Sequence, residues 1–565
     1  MKLEIVESVN TTKRDYRCGA SSKEKSSRTD APSFRMTVMA ISYLSARLRE
    51  CTAKDVTGNG RRGVIYTISP SPVQSGEIWV GTDDGLIQVT HNGGKTWQNV
   101  TPPSLTAWSK ISMLEASHFD ANTAYAAVDR HRLDDLRPHI YRTHDGGKTW
   151  QQITRGIPDR SFVRVVREDP TRKGLLYAGT ETGVFVSFDD GDHWQSLQLN
   201  LPNASVRDLI VHGNDLIAGT HGRSIWILDD LTPLRQMNPR VASSDAWLFR
   251  PATTYRTRFG STDEGTPLPP EEPAGKNPPN GAILDYYLKS KPEGPVVLEI
   301  LDGNGKLVRR YSSAEKPPRR NPALQRVADR WLKIVQPLSA EPGMHRFVWD
   351  LLYPSPRAPF GFDTWTKSGL WAVPGNYTVK LIVNGKTYSQ PLTLKMDPNV
   401  RVSQDDLELQ FETDRQIVAA RQKVSQAMAD AENLGKQLQL LQPKTKRQPE
   451  LSREIENVQH KLLNVLGRQQ ASSPDDSGEL GPSRDLTSLR YLEKAFGKLE
   501  YVVESADAAP TPDALKAFHQ RRQVLESTMG EWSEIKSKDL PKLNSLLRQA
   551  KLPAITIGHN VNENR

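Results

Sequence analysis

Short apolar runs alternate with polar turns through the first half of the chain. From residue 63 to about residue 230, runs such as 64–68, 78–80 and 86–89 are separated by turns rich in Gly, Asp and Asn. Strands of this length between Gly-bearing turns are typical of antiparallel hairpins. The pattern predicts four successive sheets of four strands, except that the last, over residues 206–228, shows only three strands.

An octapeptide ending in tryptophan recurs three times in this segment. Each copy has a hydroxyl residue first, Asp or Asn third, Gly fifth and Trp eighth, and follows a short apolar strand. We expect the third residue to accept bonds from turn N–H groups, Gly to allow positive φ, and Trp to wedge between neighbouring sheets. Repeats spaced by about 40–50 residues are typical of stacked units such as propeller blades. The pattern therefore predicts structural roles for the residues of these three Trp-closed turns: Thr90, Asn92, Gly94 and Trp97; Thr143, Asp145, Gly147 and Trp150; Ser187, Asp189, Gly191 and Trp194.

The Trp-closed turns resemble Asp boxes, also called bacterial neuraminidase (BNR) repeats, with the pattern S/T-x-D-x-G-x-T/S-W. The first copy departs at Asn92 and the third at His193. Together with Gly-Thr-Asp-Asp-Gly-Leu at residues 81–86 and Gly-Thr-His-Gly-Arg-Ser at residues 219–224, they resemble secreted bacterial BNR-repeat or sortilin-like glycosyl hydrolases. This resemblance implies a β-propeller more than an activity, because Asp boxes occur in sialidase, sortilin-type and xyloglucanase-type propellers. It also implies an extracytoplasmic location for a full-length family member.

The pattern changes after the predicted partial propeller at residues 58–242. Residues 243–280 are Pro-rich and predict a linker. Residues 281–399 alternate at period two between tight turns and predict an Ig-like β-sandwich. Residues 400–550 have the helical period and predict a bundle, hairpin or coiled coil, with oligomerisation through these helices as a further interpretation, and residues 551–565 form a tail. The predicted fold class is mainly β with a C-terminal α region.

Residues 1–57 do not show the pattern of further blades. They are unassigned, with disorder or a mis-started gene product as the two interpretations. The first residues are acidic where an export signal would be basic and then apolar, so no signal peptide is predicted. No apolar run approaches the roughly 18 residues of a membrane helix. Cys18 and Cys51 belong to no Cys/His cluster, so neither a metal site nor a cofactor is predicted.

The overall composition excludes few function classes. Hydrophobic residues make up 36% of the chain and charged residues 25%, which is ordinary for a globular protein. The net charge of +9 is the difference between 75 basic and 66 acidic residues, and it is spread along the chain. Nucleic-acid binding needs basic residues gathered on one face, so it is not predicted.

The order of the hairpins gathers candidate site residues at one end of the predicted sheets. Turns between strands one and two, and three and four, share the end that carries the Trp-closed turns. Turns between strands two and three and the crossings between sheets share the opposite end, here called the rim. The longest rim loop, residues 129–139, concentrates Arg, His and Asp. The candidate ligand-binding residues are Arg130, His131, Arg132, Arg137, His221 and Arg223, and the candidate catalytic residues are Asp134, Asp135 and Glu181.

Two functions fit these residues. The preferred function is binding of a protein, peptide or glycan at the rim, where arginines pair with carboxylate or sugar oxygens. The alternative is a glycoside hydrolase that attacks a polysaccharide with two rim carboxylates about 5 to 10 Å apart. Sialidase chemistry is disfavoured, because no Phe-Arg-Ile-Pro segment precedes the Trp-closed turns and no Tyr/Glu nucleophile pair is identifiable. The sequence also has no P-loop, G-x-S-x-G or H-E-x-x-H motif. The rim loop could also be a solvated excursion with internal salt bridges, and the chain a non-functional fragment.

Overall fold

The computed structural model describes residues 3–6, 63–258, 278–316, 337–354, 369–445, 448–467 and 486–557. Both cysteines, most of residues 1–57, residues 259–277 of the predicted linker and residues 558–565 of the predicted tail lie outside these ranges. The described part is mainly β with a C-terminal helical region, which confirms the predicted fold class at this level.

Four four-stranded antiparallel sheets are formed by residues 65–228 together with one strand at residues 3–6. Sheets that follow each other in the chain also contact each other in space. A closed ring of sheets is not seen among the described residues. The strands are β1 (Leu3–Val6); β2 (Ile65–Pro70), β3 (Ile78–Thr82), β4 (Ile87–Thr90) and β5 (Gln98–Asn99) in the first sheet; β6 (Lys110–Ala116), β7 (Ala124–Asp129), β8 (Ile140–Thr143) and β9 (Gln151–Gln152) in the second; β10 (Val163–Glu168), β11 (Leu176–Thr180), β12 (Val184–Ser187) and β13 (Gln195–Ser196) in the third; and β14 (Val206–His212), β15 (Asp215–Thr220) and β16 (Ile225–Leu228) in the fourth.

The fourth sheet is completed by β1, from a segment that the sequence pattern left unassigned. β1 pairs antiparallel with β16, so that Leu3 lies opposite Leu228 and Val6 lies opposite Ile225. The sequence predicted three strands in this sheet, and the structure corrects this to four. The pairing joins segments far apart in the chain, which local hydrophobic periodicity cannot reveal.

Each Trp-closed turn is held by its own side chains. In the second turn the Thr143 hydroxyl donates to Asp145 Oδ1 (2.9 Å) and accepts from the Gly147 N–H (2.9 Å). Asp145 accepts from the Thr149 N–H (2.9 Å) and hydroxyl (2.7 Å). The Thr149 hydroxyl bond is the largest cause that lowers the pKa of Asp145 to about 2. Equivalent backbone bonds reach Asn92 in the first turn and Asp189 in the third.

The tryptophans of the second and third turns join each sheet to the one before it. Trp150 Nε1 donates to the carbonyl of Val100 (2.7 Å), which follows the last strand of the first sheet. Trp194 Nε1 donates in the same way to the carbonyl of Ile153 (2.8 Å), which follows the second sheet. Trp97 differs, because its indole donates to a carbonyl of its own turn. An indole N–H thus fixes two of the contacts between sheets.

The glycines of the same two turns lie against the same two partners. A Cβ on Gly147 would fall 2.6 Å from Val100 Cβ, and a Cβ on Gly191 would fall 2.3 Å from Ile153 Cδ1. Both glycines also have positive φ, which side-chain-bearing residues rarely adopt. The turn geometry and the close contact with the preceding sheet therefore both require glycine at these two positions.

A close approach between the third and fourth sheets depends on another glycine. A Cβ on Gly179, in β11, would lie 2.6 Å from Val165 Cγ1 and 2.8 Å from Val206 Cγ1, and Val206 belongs to the next sheet. Gly219 occupies the matching place in β15, where the nearest atom to an added Cβ is 3.8 Å away. Gly179 and Gly219 are thus equivalent strand positions, of which the first has no room for a side chain and the second has.

A second β unit follows two short helices, α1 (Thr232–Gln236) and α2 (Pro239–Ser243). Its two sheets share one hydrophobic core, in which Trp349 is fully buried. The smaller sheet has three strands and the larger has five. The strands are β17 (Ala246–Leu248), β18 (Thr254–Arg256), β19 (Ala282–Leu288), β20 (Val297–Leu301), β21 (Leu307–Ser312), β22 (Gly343–Trp349), β23 (Gly375–Val383) and β24 (Lys386–Met396).

Two of these strands correct the predicted linker at residues 243–280. β17 pairs with β19 in the smaller sheet, and β18 pairs in parallel with β24 in the larger one. Both strands have only three residues and neighbour a Pro-rich stretch, so they carry no periodic signal of their own. Their partners come from later in the chain.

The C-terminal region is a set of helices around one core. They are α3 (Gln404–Thr445), α4 (Pro449–Leu466), α5 (Leu489–Glu504), α6 (Pro512–Glu534) and α7 (Leu540–Gln549), with a π-helical turn (Ile535–Asp539) between the last two. The apolar faces of these helices pack on each other within the chain, and oligomerisation through them stays a prediction. Ile555, in the predicted tail, is buried in the same core. No helix of the described residues is long and apolar enough to cross a membrane.

The substitution Trp194→Phe tests the indole bond between the second and third sheets. It keeps an aromatic ring but removes the donor to the Ile153 carbonyl, and we expect it to lower the free energy of unfolding by about 1–3 kcal/mol. Trp97→Phe is the control, because it removes a bond made within one turn. Urea unfolding followed by far-UV circular dichroism measures both, and equal losses would contradict the assignment.

The substitution Gly179→Ala tests the close approach of the third and fourth sheets. The added methyl group overlaps two valine side chains, so we expect a loss of about 1–3 kcal/mol in the free energy of unfolding. Gly219→Ala, at the open matching position, is expected to change it by less than about 0.5 kcal/mol. If the two variants unfold at the same urea concentration, the tight contact is not a determinant of stability.

Candidate functional site

The rim loop, residues 129–139, begins at a buried carboxylate. The Asp129 side chain has no solvent exposure, and its Oδ2 accepts from Arg164 Nη1 (2.6 Å) of the third sheet. Asp129 Oδ1 accepts from the His131 N–H (3.1 Å) and lies 2.5 Å from His131 Nδ1. The His131 ring in turn stacks on Phe162, with centroids 5.1 Å apart. His131, a predicted ligand-binding residue, is therefore part of the support of the loop, as is Asp129, which the sequence did not single out.

Asp135 holds the other end of the rim loop. It accepts from Arg137 Nε (2.8 Å) and Nη2 (2.9 Å), and His139 Nε2 lies 3.0 Å from its Oδ2. Arg130 Nε lies 3.6 Å from the same carboxylate, and Arg130 Nη2 donates to the Thr106 hydroxyl (3.3 Å) of the crossing between the first two sheets. The bond from Arg137 is the largest cause that holds the pKa of Asp135 well below its usual range. Asp135 is therefore an ionised anchor.

The middle of the rim loop faces solvent. Its exposed side chains include Leu133, which is 39% exposed, and Leu136, which is 38% exposed. Arg132 is exposed and forms no ion pair within the described ranges. Asp134 is also exposed and ends a single 3₁₀ turn with a left-handed backbone (φ 58°). An apolar and basic surface thus lies on a loop whose ends are fixed.

Arg164 connects the rim loop to Glu181, the third predicted catalytic residue. Arg164 Nη2 donates to Glu181 Oε2 (3.1 Å) while its Nη1 binds Asp129, so one guanidinium group bridges the two carboxylates. The Ser205 hydroxyl also donates to Glu181 (2.7 Å). Burial raises the pKa of Glu181, but the bonds from Ser205 and Arg164 outweigh it, and the pKa is lowered. The guanidinium group of Arg164 therefore occupies the space between the carboxylates of Asp129 and Glu181.

His221 and Arg223 lie on the same rim but in a solvent-exposed turn. Both side chains are exposed in the turn between β15 and β16, which joins the second and third strands of the fourth sheet. Gly222 (φ 80°) and Ser224 (φ 62°) turn the backbone here. The His221 N–H donates to the Ser205 carbonyl (2.8 Å), which brings this turn beside Glu181.

At the opposite end of the sheets, a polar cluster joins the second and third sheets. The Tyr125 hydroxyl donates to Asp190 (2.5 Å) and lies 3.5 Å from Glu168, while Arg142 donates to the Asp190 carbonyl (2.6 Å). Burial raises the pKa of Glu168 and of Tyr125. Asp190 occupies a variable position of the third Trp-closed turn, so the repeat gave no signal for it. The hydrogen bonds of this cluster link the second and third sheets, so its role is structural.

A second group of charged residues lies between the sandwich and the helices, where the sequence predicted no site. Arg256 and Arg258 come from the segment predicted to be linker, and Asp414 and Glu504 come from two separate helices. Sequence reasoning missed them because residues this far apart are brought together only by packing. Within the described ranges, no group of three or more His, Cys, Asp or Glu side chains is placed to hold a metal ion.

Comparison with known proteins gives partial similarities. No protein-family model matches the chain. The oligoxyloglucan-reducing end-specific xyloglucanase of Emericella nidulans is 29% identical over 108 residues, which cover 19% of this chain and 13% of that protein. The chain thus spans a small part of this curated relative.

Two solved structures are similar to parts of this chain. The GH74 xyloglucanase of Xanthomonas campestris is 14% identical, covers 29% of each chain and has a TM-score of 0.24. YCF48 bound to D1 peptide is 20% identical, covers 28% of this chain and 48% of its own, and has a TM-score of 0.23.

The substitution Asp129→Asn tests whether the buried ion pair holds the rim loop. Removing one charge leaves Arg164 without its buried partner, and we expect a local loss of about 3 kcal/mol. Backbone amides of residues 129–139 should then exchange with deuterium more than about tenfold faster. Asp134→Asn, on the exposed middle of the loop, is the control and should leave exchange unchanged. Equal exchange in both variants would show that Asp129 does not order the loop.

Proposed function

We propose that the rim binds a protein or peptide segment that carries carboxylate and apolar side chains. The observation that carries this proposal is the contrast within the rim loop. Asp129 and Asp135 fix its ends by ion pairs, while Arg132, Leu133 and Leu136 remain exposed. A surface ordered in advance loses less conformational entropy on binding.

The chemistry of the exposed side chains supports an acidic partner. Arg132 offers a planar set of donors that matches a carboxylate, and apolar neighbours exclude water from such a pair. Arg137 is already bound to Asp135, so it contributes less free charge. Arg223 lies exposed on the same rim and extends the basic surface. A glycan is the other ligand class for this surface, because arginine also binds sugar oxygens.

The state of the rim carboxylates argues against catalysis by Asp135 and Glu181, two of the three candidate catalytic residues. A glycosidase needs one carboxyl group that stays protonated near neutral pH, which requires a raised pKa. The pKa values of Asp135 and Glu181 are both lowered, and each carboxylate is bound to arginine. These groups are therefore better suited to anchoring the rim than to donating a proton.

Glycoside hydrolysis remains the second candidate function, because of one specific observation. The curated relative is named as a xyloglucanase, and the matched stretch is 29% identical. The match covers only 13% of that protein, so its activity cannot be transferred to this chain on similarity alone. A polysaccharide substrate of the xyloglucan type is the one that this observation favours.

The architecture around the rim is part of the same proposal. We infer that the four sheets are blades of a partial Asp-box propeller, supported by their strand order and by the bonds within the Trp-closed turns. The two-sheet unit is inferred to be an Ig-like sandwich that, with the helices, presents or assembles the propeller. We also infer an extracytoplasmic location for the full-length protein, because the glycosyl hydrolases that the Trp-closed turns resemble are secreted.

Binding of immobilised peptides tests the proposed function. The probe is a set of peptides rich in Glu and Leu, with matched peptides in which Gln replaces Glu. We expect the acidic peptides to bind better, and the double variant Arg132→Ser with Leu136→Ser to weaken binding at least about tenfold, which is about 1.4 kcal/mol. Added salt should weaken binding as well, because exposed charges are screened.

The control variant is Arg310→Ser, which removes a solvent-exposed arginine from β21, outside the rim. It should leave peptide binding unchanged. Equal effects of the rim and control variants would overturn the proposal. Release of sugars from xyloglucan oligosaccharides that is abolished by Glu181→Gln would support the hydrolase instead.

A further inference from the structure

A narrow cleft lies where the β-sandwich meets the helical region. One wall comes from β18 and the segment before β23, and the other from α3 and the end of α5. The free space at its centre is about the size of one water molecule. The lining combines charged, polar and apolar side chains: Arg256, Arg258, Leu370, Trp371, Leu407, Gln410, Phe411, Asp414 and Glu504.

The two arginines of the cleft are already engaged. Arg256 Nη2 and Arg258 Nε both donate to Asp507 Oδ1, at 2.5 and 2.7 Å. Arg256 Nη1 also donates to the Ala372 carbonyl (3.1 Å), and Arg258 Nη1 donates to the Glu504 carbonyl. Their positive charge is therefore directed mainly at Asp507.

Asp414 is the unusual member of the cleft. The residue is only 3% exposed, and within the described ranges its Oδ1 has no hydrogen-bond partner. A buried carboxylate oxygen without a donor is costly, and most buried polar atoms in proteins are bonded. Glu504 lines the same cleft and is a second carboxylate close to Asp414. Asp414 thus lines a small space and has an acceptor atom that no donor of the described residues satisfies.

The charges around the cleft do not balance. Among the residues that the structure describes, three guanidinium groups face five carboxylates, so the cluster carries an excess of two negative charges when all are ionised. Arg421, the third arginine, is bound to Glu493 and Glu500, so it forms no ion pair with Asp414 or Glu504. The charged groups that face the cluster are Arg256 and Arg258 from the sandwich, Asp414 and Arg421 from α3, Glu493, Glu500 and Glu504 from α5, and Asp507 from the loop after α5.

We propose that this cleft binds the primary ammonium group of a small amine or of a lysine side chain. An ammonium group is about the size of water, supplies the donor that Asp414 Oδ1 lacks, and offsets the negative excess. The carbon stem of the ligand would lie along Phe411, because Arg256 and Arg258 already lie over the Trp371 ring.

The affinity of such a site depends on pH in a defined direction. Burial, together with the nearby Glu504 and Glu500, raises the pKa of Asp414 to about 8. Burial, with Glu500, raises the pKa of Glu504 to about 7. The ammonium group favours the ionised carboxylates, so binding releases protons below these values. Affinity should increase as the pH rises through the range from about 7 to 8.

The test is titration of the full chain with ¹³C-methylammonium chloride, observed by the broadening of the ligand NMR signal. We expect a dissociation constant at pH 8.5 at least tenfold lower than at pH 6.5. Asp414→Asn removes one charge and should weaken binding at least tenfold at pH 8.5. Asp405→Asn, an exposed position on the same helix, is the matched control and should bind as the unchanged chain does.

Three results would overturn the proposal. Asp414→Asn could bind with unchanged affinity, sodium chloride at equal concentration could displace the probe completely, or affinity could fall as pH rises. The first would mean that a water molecule satisfies Asp414, and the second that the site prefers a metal cation. If Asp414→Asn does not fold, as judged by circular dichroism, Glu504→Gln takes its place with the same expected loss.

Discussion

The contact between one sheet and the next is the constraint on which the first half of this structure depends. A four-stranded sheet cannot bury both of its faces alone, so its stability is shared with its neighbours. The indole N–H groups of Trp150 and Trp194 reach the carbonyls of Val100 and Ile153 in the preceding sheets. Because the turn glycines leave no room for a side chain at these contacts, the turns pack directly against Val100 and Ile153 of the preceding sheets.

The contact between sheets also holds the rim side chains in place. Arg164 can bridge Asp129 and Glu181 only because the second and third sheets hold a fixed relation to each other. Two of the three carboxylates predicted to be catalytic, Asp135 and Glu181, are bound to arginines that hold the rim in place. What the rim offers to a ligand is the exposed middle of its loop, held in place by buried ion pairs.

The junction between the sandwich and the helices shows the opposite balance of charge. At the rim each candidate carboxylate with a lowered pKa is bound to an arginine, whereas at the junction carboxylates outnumber guanidinium groups. Burial of unpaired carboxylates costs stability, so their pKa values rise until protonation becomes favourable. The same residue types thus produce an anchored surface at one place and a cleft that attracts cations at another.

The amino-acid sequence alone was enough to predict the features that depend on bonds between near neighbours. The Trp-closed turns, the hairpins and the helical region follow from patterns of a few residues, because their hydrogen bonds lie within those residues or one turn away. It also identified the rim loop, since hairpin order fixes which turns share an end of a sheet. Tertiary structure decided the pairing of β1 with β16, the strands within the predicted linker, the role of Asp129 and the cleft around Asp414. Each of these joins segments that are distant in the chain, and no local periodicity records which distant segment will supply a partner.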